Sequence, residues 1–293
     1  CRRRHFGSFF RTRARRRRIC SIKERCRMAR PARRRRTQHV SENAGARARV
    51  TEYRDSDAIL SVLTREQGLM TFKARGVRSR RSQIKSACQL LAFSEFTVLE
   101  RQGYYTVSEA VCIEMFQPMR NDIELLSLCS YFAQAAELLS QQDVNDGEVL
   151  SLTLNAIYAL CKLKRPQPLV KAAFELRMMV IAGFQPMVED CAVCGSDAPD
   201  RFDVAGGMAV CAKCSAPGSL RLPISPACLA AMQHIVSCES KRVFSFNLLP
   251  EPLKELSDVS ETYFLTQLER GFYTLDFYKS LRLTGQDLQP AAQ

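Results

Sequence analysis

The chain has 293 residues, enough for two or three domains. Its 46% hydrophobic and 25% charged content excludes wholesale disorder. The formal charge of +13 is unevenly spread: residues 1–50 hold 19 Arg or Lys against Glu24 and Glu42, a balance of +17, so the other 243 residues, with 24 bases and 28 acids, carry −4. A nucleic-acid argument for the body of the chain must therefore rest on local clusters of charge. The longest uncharged apolar run, Met178 to Phe184, is seven residues, so neither a membrane span nor, after so basic a start, a secretory signal is expected. Thirteen scattered Cys, mostly in apolar positions, suit a reducing cytoplasm better than a disulfide framework.

Residues 1–42 carry arginine blocks at 15–18 and 33–36 and almost no apolar face, which predicts a disordered basic leader. Three readings fit it: a nucleic-acid arm, an arginine-rich targeting segment, and translated upstream sequence that is not native to the protein. From Gly45 to Met115, short apolar–polar alternations are separated by turns. Ala58 to Thr64 and Leu69 to Arg75 flank the turn Arg65-Glu66-Gln67-Gly68, and Leu91 to Leu99 and Tyr104 to Cys112 flank Gln102-Gly103. With a poorly apolar first strand near Ala46–Val50, this spacing predicts a small barrel of about 70 residues.

Beyond Pro118 the period becomes helical. Asn121 and Asp122 can cap a helix carrying Leu125, Leu128, Phe132, Ala135 and Leu139. A second helix carries Val149 to Leu163, and a third carries Leu169 to Val180 with Gly183 as its stop. Ser225-Pro226 opens a fourth. A fifth is expected from Val259 to Leu281, its aromatics Tyr263, Phe264, Phe272, Phe277 and Tyr278 reading as core, with a frayed tail from 284.

Two constellations carry chemistry. Cys191-x-x-Cys194 and Cys211-x-x-Cys214 are separated by sixteen residues, and Gly195 follows the first pair where a tight turn needs it. Two such knuckles can converge on one tetrahedral zinc, and four thiolates leave no position for water, so the metal is expected to be structural. The other reading is a set of redox or buried cysteines. The second constellation is Lys73, Arg75, Arg78, Arg80, Arg81 and Lys85: six cations and no acid in thirteen residues, with Ser79 and Ser82 as further phosphate donors. On a barrel this makes a basic rim suited to a sugar-phosphate backbone, with Phe72, Phe93, Phe96, Tyr104 and Tyr105 as candidate stacking partners. A solvated charged hairpin is the alternative. Phosphate-loop, dinucleotide and zinc-protease motifs are missing. Asp55 and Asp57 read as a turn cap, His234 as structural, and Cys88, Cys112, Cys129 and Cys161 as small core residues.

Tyr53-Arg54-Asp55-Ser56-Asp57, leading into Ile59-Leu60-Ser61-Val62-Leu63-Thr64-Arg65-Glu66-Gln67-Gly68, resembles the start of the bacterial DNA repair protein RecO family. So do Lys73-Ala74-Arg75-Gly76-Val77-Arg78, Phe174-Glu175-Leu176-Arg177, the Gly183 turn before Cys191, and Gly206-Gly207. The resemblance covers about residues 45–282 and implies an α+β multidomain protein: an N-terminal OB-fold β-barrel followed by a helical bundle with an inserted four-cysteine zinc element. On this pattern an OB-fold at 43–118 follows the leader. The helical domain occupies 119–188 and 219–283 around a zinc element at 189–218, with a tail at 284–293. The implied function is that of a recombination mediator without enzymatic turnover. It binds single- and double-stranded DNA, anneals complementary strands, and works with RecR to load RecA onto strands coated by single-stranded-DNA-binding protein. Carried over by position, Lys73, Arg75, Arg78, Arg80 and Arg81 would touch DNA, the charge cluster adding Lys85, and Cys191, Cys194, Cys211 and Cys214 would hold structural Zn(2+). The leader matches nothing in the family pattern, and the opening strand departs from it. A non-enzymatic protein–protein adaptor with a zinc-stabilised fold and no DNA contact is the competing expectation.

Overall fold

The computed structural model describes residues 39–53, 55–142, 146–214 and 218–287. The readings of residues 1–38 and 288–293 fall outside the described residues. Five strands close a barrel in the order β1-β2-β3-β5-β4: β1 (His39–Tyr53), β2 (Asp57–Thr64), β3 (Gly68–Ala74), β4 (Phe93–Arg101) and β5 (Tyr104–Glu114). Closure comes from a parallel pairing of β3 with β5 at Phe72↔Tyr105 and Lys73↔Thr106. Period-two alternation turns Leu60, Val62, Met70, Phe72, Ala74, Phe96 and Val98 inward, where they fill the barrel. Gly45 is required on β1, because a Cβ there would lie 2.6 Å from the Leu63 carbonyl oxygen.

Two strand expectations need correction. β1 is fifteen residues long and pairs with both β2 and β4, so His39 to Glu42, placed in the leader by their composition, form strand. His39 to Glu42 pair with β4 alone, and these ladder hydrogen bonds hold them in the strand although their apolar alternation is weak. Leu91 does not begin β4: its φ of 58° is left-handed, and the strand starts at Phe93.

Helices α1 (Gln117–Arg120), α2 (Ile123–Leu139), α3 (Gly147–Cys161) and α4 (Gln167–Ile181) follow the barrel. The Asp122 carboxylate accepts from the Glu124 and Leu125 N–H groups and caps α2. α4 ends in a Schellman turn: Gly183 has φ 86°, its N–H donates to the Val180 carbonyl, and the Phe184 N–H donates to that of Met179. Next come β6 (Arg201–Asp203), β7 (Met208–Val210) and β8 (Arg221–Pro223), a sheet ordered β7-β6-β8. α5 (Pro226–Ser237) is capped by Ser225.

The expected fifth helix is two: α6 (Pro250–Leu268) and α7 (Tyr273–Asp287), broken where Glu269 turns left-handed at φ 48°. The break lets Phe264 and Phe272 both pack on Tyr131. α7 also continues to Asp287, into the stretch expected to fray. Tyr263, Phe264, Phe272 and Tyr278 are core, but Phe277 is half exposed. Ala46, Leu63 and Leu91 belong to the helical core, which is how the barrel is seated on α2.

Candidate functional site: a four-thiol cluster and a basic barrel segment

The four cysteines come together. The Sγ atoms of Cys191, Cys194, Cys211 and Cys214 all lie within 4.8 Å of one another, and those of Cys194 and Cys211 are 3.9 Å apart. Tetrahedral metal–sulfur bonds of about 2.3 Å place sulfurs about 3.8 Å apart, so the set fits one ion. Each knuckle is a backbone turn. The Gly195 N–H donates to the Cys191 carbonyl at 2.8 Å, with Gly195 at φ 71°, and the Cys214 N–H donates to that of Cys211 at 2.9 Å.

The electrostatics point the same way. N–H groups of Cys194, Val193 and Cys211 converge on the Cys191 sulfur, the last at 3.3 Å, and bring its thiol down to about 6 although the residue is buried. The neighbouring Cys194 sulfur, together with burial, pushes Cys214 up to about 12. Sulfurs this close cannot all be thiolates unless a cation sits among them.

The cluster is tied to the helices. The Tyr263 ring meets Phe202 edge-on at 5.4 Å, and its hydroxyl donates to the Phe184 carbonyl. A Cβ at Gly207 would lie 2.6 Å from that hydroxyl, so this glycine is needed for α6 to approach. The Gln233 amide, on α5, donates to the Val188 and Glu189 carbonyls just before the first knuckle.

The basic residues lie on one connected piece of chain. Lys73 is on β3, and its ammonium is 3.8 Å from the Asp57 carboxylate. Asp57 also accepts the Gly76 N–H at 2.9 Å, so it caps the far end of β3 rather than its own turn, while Asp55 is exposed. Residues 75–92 then wrap the barrel as successive turns. Val77, Ile84 and Cys88 point into the barrel core, which leaves Arg75, Arg78, Arg80, Arg81 and Lys85 exposed. Arg75, Arg80, Arg81 and Lys85 make no ion pair among the described residues. Ser79 and Ser82 fall on the same segment, where the Ser79 hydroxyl accepts from the Arg81 N–H.

Of the candidate stacking residues, Phe72 and Phe96 are core and 5.7 Å apart, Phe93 and Tyr105 are partly buried, and only Tyr104 is open, at 78% exposure. His234 meets Phe246 edge-on, and its Nε2 lies 3.1 Å from the Arg242 carbonyl oxygen, a structural setting. Cys88, Cys129 and Cys161 are buried and Cys112 partly so. A groove between the barrel and α7 has no signature in the sequence, because its walls come from segments more than 100 residues apart.

The comparisons agree with this architecture. Residues 45–116 match the family model described as Recombination protein O N terminal, and residues 120–276 the one described as Recombination protein O C terminal. Among similar proteins, the DNA repair protein RecO of Acetivibrio thermocellus is 30% identical over 229 residues, covering 78% of this chain and 91% of the relative. That of Symbiobacterium thermophilum is 27% identical over 240 residues, covering 80% and 94%. That of Anaeromyxobacter sp. strain K is 31% identical over 197 residues, covering 65% and 77%. With an OB-like barrel, a helical body and a four-thiol cluster that can hold a metal ion, this chain belongs to the RecO family of DNA repair and recombination proteins.

Proposed function

We propose that this protein grips the sugar-phosphate backbone of single- and double-stranded DNA through Arg75, Arg78, Arg80, Arg81 and Lys85, with Lys73 at the edge of the patch. The observation that carries the reading is the anchoring of residues 75–92 by Val77, Ile84 and Cys88, which turns five cations outward together. Two strands held on one cationic surface lose much of their mutual repulsion, so complementary bases can pair; annealing then needs no covalent step and no turnover. Residues 43–118 act as the OB-fold module that binds DNA. The helical parts at 119–188 and 219–283 act as its scaffold, stiffened by the element at 189–218.

In this reading the ion held by Cys191, Cys194, Cys211 and Cys214 is a structural zinc, since a four-thiolate shell leaves no position for water. In this reading, which family membership supports, the partners are RecR, single-stranded-DNA-binding protein on the coated strand, and RecA as the protein finally loaded. The setting is the bacterial cytoplasm at the nucleoid. Among the described residues, no helix is long and apolar enough to cross a membrane.

The test is the salt dependence of single-strand binding by the full chain and by a version beginning near residue 38. Five neutralised phosphates give a slope of log K against log salt of about −3.5, at roughly −0.7 per contact. Arg75→Ala, Arg80→Ala and Arg81→Ala together should remove about 2 from that slope and weaken binding to every sequence alike. An unchanged slope in a folded triple variant overturns the assignment. The second reading, an adaptor without DNA contact, draws on the −4 balance of residues 51–293; salt-insensitive or absent retention of single strands, with RecR capture intact, would establish it.

A further inference from the structure

A groove of about 950 Å³ runs between the base of the barrel and the α2–α7 pair. Its aromatic wall is Tyr273 and Phe277, one turn apart on α7 and therefore on one face; they are 74% and 48% exposed. Its cationic contributions are Arg270, just ahead of α7, and Arg49 on β1. Arg49 lies 3.9 Å from Glu137, whereas Arg270 makes no ion pair among the described residues. Across from α7 stands Leu90.

The walls are built rather than loose. The Thr274 hydroxyl donates to the Gln134 side chain at 2.6 Å and holds the first turn of α7 against α2. Phe272 is buried beneath the groove against Tyr131 and Phe264. On the other side, the Arg120 guanidinium donates to the Leu90 carbonyl at 2.8 Å and fixes the end of the segment that carries the exposed cations. That segment leaves β3 at Arg75, presents its last cation at Lys85, and reaches the groove five residues later at Leu90.

Single-stranded nucleic acid needs two surfaces: cations for its phosphates, and flat apolar rings for bases that have lost their stacking partners. The barrel segment supplies the first but little of the second, since most of its aromatic neighbours are buried. The groove supplies the second, in a volume near the upper end of the roughly 300–1,000 Å³ range of ligand pockets, so it admits more than one flat ring. We propose that the groove is a nucleobase-stacking site in which Tyr273 and Phe277 receive unstacked bases of a single strand whose backbone arrives from Lys85, with Arg270 and Arg49 meeting the phosphates at its mouth. Paired bases cannot enter, so the groove makes the protein prefer single strands and releases its hold as they anneal. The inference rests on the DNA-binding reading above and adds to it the part of the DNA recognised.

The test compares a fluorescein-labelled thymidine 30-mer with an abasic 30-mer of equal charge, by anisotropy on the full chain. The intact protein should bind the thymidine strand about tenfold more tightly, a stacking effect. Tyr273→Ala with Phe277→Ala should abolish that ratio while leaving the salt slope unchanged, and Tyr273→Trp should keep it. The arginine triple variant should do the reverse, lowering the slope and keeping the ratio. If neither strand binds, the DNA-binding reading itself fails. If both bind but the ratio is near one, or survives the double substitution in a protein of unchanged melting temperature, the stacking site is overturned and the groove is left to a protein partner.

Discussion

Lys171 and Glu175, one turn apart on α4, form an ion pair of 2.9 Å in which Glu175 is wholly buried and Lys171 nearly so. Three further helices converge on it. The Tyr131 hydroxyl of α2 donates to Glu175 at 2.8 Å, and the Ser260 hydroxyl of α6 donates at 3.0 Å. Glu261 of α6 accepts from Lys171 at 2.8 Å and pairs with Lys279 of α7. Burial pushes the Glu175 carboxyl above its ordinary range against the pull of Lys171, whereas Lys171, despite its burial, is held high by two carboxylates. A single arrangement of four helices satisfies this network, so it sets helix register as well as contributing stability.

Breaking that pair from one side should be far worse than removing it. Lys171→Met leaves the buried Glu175 carboxylate with the Tyr131 and Ser260 hydroxyls but no cation, and should cost about 3–5 kcal/mol in urea unfolding. Adding Glu175→Gln to it should recover much of the loss. If the double variant is no more stable than Lys171→Met alone, the penalty does not come from the stranded carboxylate.

Asp203 gives a pH dependence of known sign. Burial pushes its carboxyl up, but the Ser219 hydroxyl, the Gly206 N–H and Arg221 outweigh that and hold it below the ordinary value. A depressed carboxyl contributes stability above its unfolded value of about 3.9 and loses that contribution as pH falls through the lower folded value. The stability gap between the parent protein and Asp203→Asn should therefore be full at pH 6 and close below about pH 4. A gap that widens on acidification would contradict the arrangement at the β6–β8 ends.

Metal content should be close to one ion per chain by plasma mass spectrometry, and Cys211→Ser with Cys214→Ser should abolish it. If the four thiolates hold a structural zinc, with an apparent binding energy of about 10–16 kcal/mol, chelation should remove most of what orders the two knuckles. Hydrogen exchange should then rise in β6, β7 and the knuckles, while the barrel interior around Phe72 and Phe96 stays protected. Loss of protection across the barrel would show the ion to be a support for the whole fold.

The legible parts of the chain were those whose signal is local. Leu60 and Val62, or Met70 and Phe72, announce a strand by alternation alone. Asp122 and Gly183 announce helix ends by their own backbone chemistry. Harder positions take their meaning from distant partners. Glu175 and Arg177 stand in one four-residue motif, yet Glu175 anchors the buried network and Arg177 donates to the Ile235 and Val236 carbonyls at the end of α5. Glu269 carries no sign that it will turn left-handed; the packing of Phe264 and Phe272 on Tyr131 makes the break worthwhile.

By itself, the order of residues determined the succession of barrel, helices and paired cysteine knuckles, because periodicity and short spacings act between near neighbours. Only the tertiary structure decided that β1 reaches back to His39, that Asp57 quiets Lys73 while Val77, Ile84 and Cys88 turn the later cations outward, and that Tyr273 and Phe277 face a groove floored by α2. Charge and exposure belong to surfaces, and a surface is assembled from segments the sequence holds far apart.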